Sequence, residues 1–398
     1  MDILSKIKPS LREKFFIEKI TNEFLDKLKR IKTINPIVGG SISKDTWLKG
    51  TNEVDIFAKF NYNKFRNKSD KISGILYKEL KKLFKIKLVH GSRDYFHIYY
   101  KDILFEIVPI LDIKKPEQAK NVTDLSPLHI NIVKKFPKLK DEIRLLKAFC
   151  KSNLLYGAES YISGFSGYAL EVLVIYYKSF KNTLKNSVKW EPKIVVDFNK
   201  KLKNPLLELN PSKTVSPLII IDPVDNTRNI TSSLSMENFN KFIKLAKLYL
   251  KNPSEKFFGK KTKIPKNSLV LEIVPLNGKK DVVGSKIVKL INFIKNESNK
   301  FGFKISQNSW SWDKEVLVWY KVKNKKISNY FIHKGPPEDN IENVKKFKQK
   351  YKNVFVKNKI YYTKIKRDVT NINDFIKNLI KDKYIKERAK EIKIQRFL

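Results

Sequence analysis

The sequence predicts an α+β protein of several domains: a mixed head over residues 1–115, a mainly helical middle over 116–255 and a mixed α/β part over 256–398. Three observations carry that expectation. At 398 residues the chain exceeds the roughly 250 to 300 at which single cores stop growing. Its apolar share of 41% and aromatic share of 12% suffice for folded cores despite the high charge. Its periodicity also changes twice, from strands interleaved with helices, to helices, to short strands mixed with lysine-rich helices. No internal repeat and no low-complexity linker marks the boundaries.

The head opens on a helical pattern within residues 1–30, carried by Leu11, Phe15, Ile20, Phe24 and Leu28. A Gly-Gly-Ser turn follows at 39–41, and KDTWL from Lys44 is expected to start a helix behind it. The run VDIFAKF from Val54 has the β-branched and aromatic character of a strand, with Val54, Ile56 and Ala58 as its apolar face. Glu53 and Asp55 therefore share the other face. Two carboxylates placed so repel each other, and burial raises the cost, unless a cation or a basic partner stands between them. After a helical stretch near 70–85 come strands near 95–112. There ILFEIVPIL, from Ile103, sets Glu106 where a purely structural strand carries an apolar or neutral residue.

The middle part reads as the helices DEIRLLKAFCK, GYALEVLVIYYKSF and MENFNKFIKLAKLYLK, joined by glycine and proline turns. On a wheel at about 100° per residue, Ile143, Leu145, Leu146, Phe149 and Cys150 fill one half of the first. Arg144, Lys147 and Lys151 form a basic stripe opposite, whose plain reading is a solvated face. GFSGY at 164–168 lets another backbone or an RNA strand approach closely, and packing is the preferred reason. An apolar strand from Leu218 runs into a turn with Asp222, Asp225 and Arg228, where the arginine either braces the turn or reaches a ligand. Beyond Pro253, the tryptophans of SWSWDKEVLVWY at 309–320 suit one-sided core packing as well as stacking on RNA, and the tail after Lys381 is very basic.

Composition narrows the partners. A net charge of +43, from 83 basic and 40 acidic residues, attracts polyanions such as RNA or DNA. Only nine basic residues are arginine, and Asn and Ile are abundant, a pattern that biased codon usage also produces. Arg93, Arg144 and Arg228 stand out accordingly, because lysine cannot supply a planar bidentate fork. Cys150 is the only cysteine, which excludes an internal disulfide and a cysteine-based zinc site and suits a reducing cytosol. The most apolar run, YALEVLVIYY from Tyr168, carries Glu171 and is far shorter than a membrane span, and the N-terminus lacks a signal-peptide pattern. A cytoplasmic protein without a membrane partner is expected.

A Gly-Gly-Ser turn can offer backbone N–H groups and a hydroxyl to a phosphate, with Lys44 and Thr46 either pointing at the same anion or serving as solvated and capping groups. Alone it is better explained by a tight turn that needs glycine. Beside three carboxylates on adjacent strands it suits two-metal phosphoryl transfer, which needs no side-chain nucleophile.

GGSISKDTWLKGTNEVDIF at 39–57 resembles the nucleotidyltransferase signature hG[G/S]…hDh[D/E]h as spelled in archaeal-type, class I CCA-adding enzymes, which build and repair the tRNA 3′ end. DLSPLH at 124–129, EIRLLKAFCK at 142–151, YGAESYISGFSGYALEVLVIYYKSF at 156–180, DPVDNTRN at 222–229 and YLKNPS at 249–254 follow that family's order and spacing. GPPEDNIENVKKF at 335–347 is a weaker match, and the resemblance spans about residues 35–350.

The resemblance implies a palm-like catalytic head, a helical neck completing the nucleotide site, and a C-terminal body and tail holding the tRNA acceptor arm. It implies CTP and ATP as substrates and two Mg²⁺ ions during catalysis; the sequence does not give the oligomeric state, and a homodimer is the preferred expectation. Glu53 and Asp55 match metal ligands and Glu106 the third carboxylate, where the family carries aspartate. Gly40, Ser41, Lys44, His129, Lys147 and Tyr156 match the turn and the triphosphate contacts, and Arg228 matches a base-contacting arginine. Poly(A) polymerases share the catalytic head, so an oligoadenylating enzyme is the first alternative. A non-catalytic basic RNA-binding protein on the same scaffold is the second.

Overall fold

The computed structural model describes residues 2–259, 264–312 and 315–397. Asp313 and Lys314 of the tryptophan-rich stretch and Leu398 of the basic tail lie outside the described residues. The chain divides into two compact units, Met1–Lys261 and Thr262–Leu398.

The first unit begins with helices α1 (Ile3–Ile7) and α2 (Leu11–Leu28), the second opened by a capping box between Ser10 and Glu13. The buried side of α2 is Ile17, Ile20, Thr21, Phe24 and Leu28, whereas Leu11 is 86% and Phe15 70% exposed. This corrects the expected stripe. Five residues separate Phe15 from Ile20, which turns the first two positions about 140° away from the rest.

Strand β1 (Ile34–Val38) leads through the glycine turn into a one-turn helix α3 (Gly40–Ser43) and then β2 (Glu53–Asn61). KDTWL is not the helix start that the sequence led us to expect. Asp45 takes φ +50°, and the amide of Thr46 bonds back to Ser41 O, so the chain folds under its own turn. A short α4 (Tyr62–Phe65) precedes α5 (Ile72–Leu83), β3 (Lys87–Val89), β4 (Tyr95–Tyr100) and β5 (Ile103–Asp112). These strands form one sheet in the order β1-β2-β5-β4-β3, in which β2 and β5 are parallel and the other pairs antiparallel. Val54, Ile56 and Ala58 are fully buried with Phe24, Leu28, Leu76 and Phe105. The opposite face is polar at its start and again from Lys59, which pairs with Asp112, while between them Phe57 packs with Ile110 and Ile130.

A second core in the same unit is built by α6 (Ser126–Lys134), α7 (Lys140–Ser152), α8 (Gly167–Tyr177), α9 (Phe180–Ser187) and, further on, α11 (Met236–Lys251). Between α9 and α11 run β6 (Ile194–Val196), the short α10 (Pro205–Glu208) and β7 (Leu218–Ile220), with β6 and β7 paired in parallel. Every residue of α8 from Ala169 to Ile175 is buried. The basic stripe of α7 is not a solvated face: Arg144 is 1% and Lys147 3% exposed, and of the three only Lys151 is left in solvent. Cys150 is free and buried in this core.

In the second unit β8 (Ser268–Pro275), α12 (Lys280–Phe301), β9 (Ile305–Trp312) and β10 (Val316–Val322) build a sheet of order β14-β8-β10-β9, with β14 (Ala389–Phe397) supplied by the tail. A three-stranded sheet follows from β11 (Tyr330–Pro337), α13 (Ile341–Lys350), β12 (Val354–Lys357) and β13 (Ile360–Lys366), then helices α14 (Ile372–Leu379) and α15 (Lys383–Lys386). Trp310 and Trp312 are half-buried against the core of Leu271, Ile291 and Tyr320, which is the packing reading of that stretch.

Candidate active site

Because β2 and β5 are parallel and in register, Asp55 stands directly opposite Glu106, and antiparallel β4 sets His97 opposite Glu106 on its other side. His97 Nε2 lies 2.6 Å from Glu106 Oε1, and Glu106 also shares a side-chain hydrogen bond with Glu53 at the exposed start of β2. Burial, then the charges of Glu106 and Glu53, push the Asp55 carboxyl up to about 7. Partial desolvation and Glu106 raise Glu53 as well, and burial with the same acids pushes the Tyr95 hydroxyl up to about 12. Negative charge exceeds its compensation along this row, which suits a hard divalent cation. Among the described residues no three carboxylate, histidine or cysteine side chains close into a ready metal cage. Such an open face is how a cation that also takes substrate phosphates is held.

The glycine turn is fitted to that row. Gly40 has φ +54°, and a Cβ there would lie 1.6 Å from Asp55 Oδ2, so the backbone passes where no side chain has room. Gly39 donates its amide to Asp55 O at 2.7 Å, and a Cβ on it would meet the Phe57 ring at 2.8 Å. Ser41 sits half-buried in the first turn of α3.

Behind the turn lies a buried knot of opposite sign. Glu171 of α8, with no exposed surface, accepts from Lys44 Nζ at 2.7 Å, from Thr46 Oγ1 at 2.8 Å and from Lys147 Nζ at 2.7 Å. Burial alone would raise the Glu171 carboxyl, but the Lys147 and Lys44 ammonium groups hold it down at about 2. Burial lowers Lys147, and the positive charge of both lysines reaches Asp55. Sequence reasoning noted Glu171 only as a charge in an apolar run; a carboxylate on a helix buried all round was the signal that it needed cations. Tyr156 closes the side of this knot: a Cβ on Gly167 would lie 2.7 Å from its Oη and 3.8 Å from Lys147 Cε. Burial pushes its hydroxyl well above the usual range. Gly164 likewise abuts Leu155 O, so close packing explains GFSGY.

A third cluster centres on Asp222, just past β7. Its Oδ2 lies 2.9 Å from His129 Nε2 of α6 and accepts from Arg228 Nη1 at 2.9 Å. Of the two aspartates offered to Arg228 by the sequence, Asp222 takes it, while Asp225 caps Thr227. The other two singled-out arginines are structural. Arg93 forks onto Asp124 and Ser69, and buried Arg144 ties Asp141 to Asp45 and the Trp47 carbonyl. The fold thus gathers Glu53, Asp55 and Glu106 on one face, joins Lys44 to Lys147 through Glu171, and joins His129 to Arg228 through Asp222.

Two family models match the chain: "tRNA nucleotidyltransferase, second domain" over residues 141–259 and "CCA-adding enzyme, C-terminal domain" over 279–393. The CCA-adding enzyme of Nanoarchaeum equitans is 40% identical over 331 residues, 80% of each chain. That of Sulfurisphaera tokodaii is 31% identical over 391 residues, 94% of this chain and 90% of its own. Among solved structures, a cytoplasmic RNA terminal U-transferase superposes with TM-score 0.51 at 16% identity, over 66% of this chain and 97% of that one. The Cid1 poly(U) polymerase gives TM-score 0.52 at 17% identity over 65% and 97%. These likenesses show a nucleotidyltransferase fold, of a type that generally works with a divalent metal. On its sequence relatives, the chain belongs to the CCA-adding enzyme family of tRNA nucleotidyltransferases.

Proposed function

We infer that the protein adds C, C and A to tRNA 3′ ends from CTP and ATP without a nucleic-acid template. The observation that carries this reading is the row Asp55–Glu106–His97 set against a turn and a lysine knot, in a chain akin to CCA-adding enzymes over most of its length. The tRNA 3′-hydroxyl attacks the α-phosphate, the bond to the β-phosphate bridge breaks, and pyrophosphate leaves. Two Mg²⁺ ions held by Glu53, Asp55 and Glu106 would lower the pKa of that hydroxyl and stabilise the leaving group. Gly40 and Ser41 shape the turn that receives the triphosphate, with Lys44, Lys147, His129 and Tyr156 as its donors. Arg228 faces the base, where C and A share an exocyclic amino group and U and G carry a carbonyl.

The head at 1–115, the neck at 116–255 and the body and tail at 256–398 are its working parts in this proposal, supported by the separate cores whose buried residues run from Ile17 to Leu125 and from Val133 to Ala246. The acceptor arm is held by its backbone and shape, a homodimer is the working assembly, and the cytoplasm is its place of action. Among the described residues no helix is long and apolar enough to cross a membrane.

The deciding experiment gives purified protein tRNA lacking its terminus, with CTP and ATP separately and together. The expected products are CC with CTP alone and CCA with both. Long A tails without use of CTP would replace this reading by an oligoadenylating enzyme, and no Mg²⁺-dependent incorporation with any nucleotide would leave an RNA-binding protein.

A further inference from the structure

We propose that Asp222 is a positioning residue for nucleotide selection, one buried carboxylate that holds Arg228 and His129 in a single hydrogen-bonded frame so that base and triphosphate are read as a unit. The proposal rests on the reading of Arg228 and His129 as nucleotide contacts. Its basis is the crowding around one side chain. Asp222 has no exposed side-chain surface, and four donors from three parts of the fold converge on it. Oδ2 serves His129 Nε2 and Arg228 Nη1, both at 2.9 Å, while Oδ1 accepts from the Val224 amide at 2.9 Å and from Tyr168 Oη at 3.4 Å.

The frame orients both partners. A nitrogen facing a carboxylate carries its proton, so His129 donates from Nε2 to Asp222 and its ring is held in one orientation. Tyr168 lies along the same imidazole, with ring centroids 4.2 Å apart and planes 30° from parallel. Arg228, pinned through one Nη, presents the rest of its planar fork in a fixed direction, which a lysine in its place cannot do. Tyr168 stands one turn before Glu171 on α8, so the frame is anchored on the helix that also carries the lysine knot.

The turn is also closed without this carboxylate, whose one main-chain bond inside it is to the Val224 amide. Its ends are closed by main-chain bonds from Asp222 N to Arg228 O and from Ile230 N to Ile220 O. Asn229 and Thr231 clamp it to β7 through Ile220 N and Leu218 O. A carboxylate needed only to shape the turn would add little to these bonds, whereas Asp222 Oδ2 is the shared partner of two side chains far apart in sequence.

The test uses the full chain with Asp222→Asn, which keeps the size and removes the charge. CMP and UMP addition to tRNA lacking its terminus, and AMP addition to tRNA ending in CC, are measured beside thermal unfolding and tRNA affinity. The expected result is a loss of CTP-over-UTP preference of about 10-fold with a parallel rise in KM for CTP and ATP, a smaller change in kcat and unchanged tRNA affinity. In the pair Asp222→Asn with Arg228→Lys the losses of preference should fail to add. A folded Asp222→Asn protein with its preference and KM intact, or with kcat lowered alike for all nucleotides and selection preserved, overturns the proposal. Should that variant fold poorly, the cycle of His129→Asn against Arg228→Lys reads the same frame with Asp222 in place, and additive losses there overturn it equally. A wild-type protein that adds neither C nor A removes the functional reading and this proposal with it; a selective wild type beside an equally selective Asp222→Asn protein removes this proposal alone.

Discussion

Two charged clusters in the first unit are unbalanced in opposite directions. Along β2, β5 and β4 three carboxylates, Glu53, Asp55 and Glu106, have among the described residues of these strands the imidazole of His97 as their hydrogen-bonded basic partner. In the knot between the glycine turn and α8, two ammonium groups, Lys44 and Lys147, share the one carboxylate of Glu171. Clusters selected for stability alone tend toward neutrality, because water cannot reach in to offset what is left over. The difference teaches what each place lacks: the first a cation, the second an anion, and a metal-bound nucleoside triphosphate brings both.

Breaking the acidic side should have the largest effect. Asp55→Ala is expected to lower nucleotide incorporation at least about a thousand-fold, since it removes several kcal/mol of charge stabilisation in the transition state. Filter binding should show tRNA affinity nearly unchanged, and a parallel loss of binding would contradict the assigned role. On the basic side the damage should fall on the fold. Glu171→Gln strands two buried ammonium groups and is expected to cost about 3 to 5 kcal/mol in denaturant unfolding. Asp55→Asn relieves repulsion and should leave the metal-free protein as stable as wild type or more so. If both variants lose stability equally, the contrast between the clusters is wrong.

Glu106 sharpens the acidic side further. Glu106→Asp, toward the family's usual residue, should keep activity, while Glu106→Gln should lose about 10- to 100-fold in metal affinity or rate. Equal and near-wild-type rates would place Glu106 outside the metal site. The smallest effect is in pH. With its carboxyl pushed up to about 7 from an ordinary 3.8, folded Asp55 holds a proton that the unfolded chain releases. Stability of the metal-free protein therefore falls as pH rises from about 4 through 7. Mg²⁺ must displace that proton, so its stabilising shift in Tm should be larger at pH 8 than at pH 6. Identical shifts would detach the metal from Asp55.

The acidic row was legible in the sequence because strand alternation is a local signal of period two, and Glu53, Asp55 and Glu106 each break an apolar pattern that neighbouring residues establish. Asp222 and Glu171 as hubs were not. Glu171 meets Lys44 across 127 positions and Asp222 meets His129 across 93, distances at which spacing carries no information. The wheel of α7 set Arg144 and Lys147 opposite its most apolar half correctly, yet nothing local to α7 told that residues 44–47 would cover that side. At α2 the limit was of another kind: the apolar positions were counted rather than turned, and the five-residue step after Phe15 moved two of them to the outside.

Cys150 has a use outside catalysis. Its side chain is fully buried in the helical core, and burial pushes its thiol far above the range in which thiolates form. Maleimides and iodoacetamides react with the thiolate, so the folded native chain is expected to stay silent to them. A cysteine introduced at an outlying position such as Tyr99 or Leu207, 76% and 79% exposed, becomes the one addressable atom of the molecule. Fluorophores or spin labels can then follow the first unit through C, C and A in turn, with no native thiol to delete beforehand.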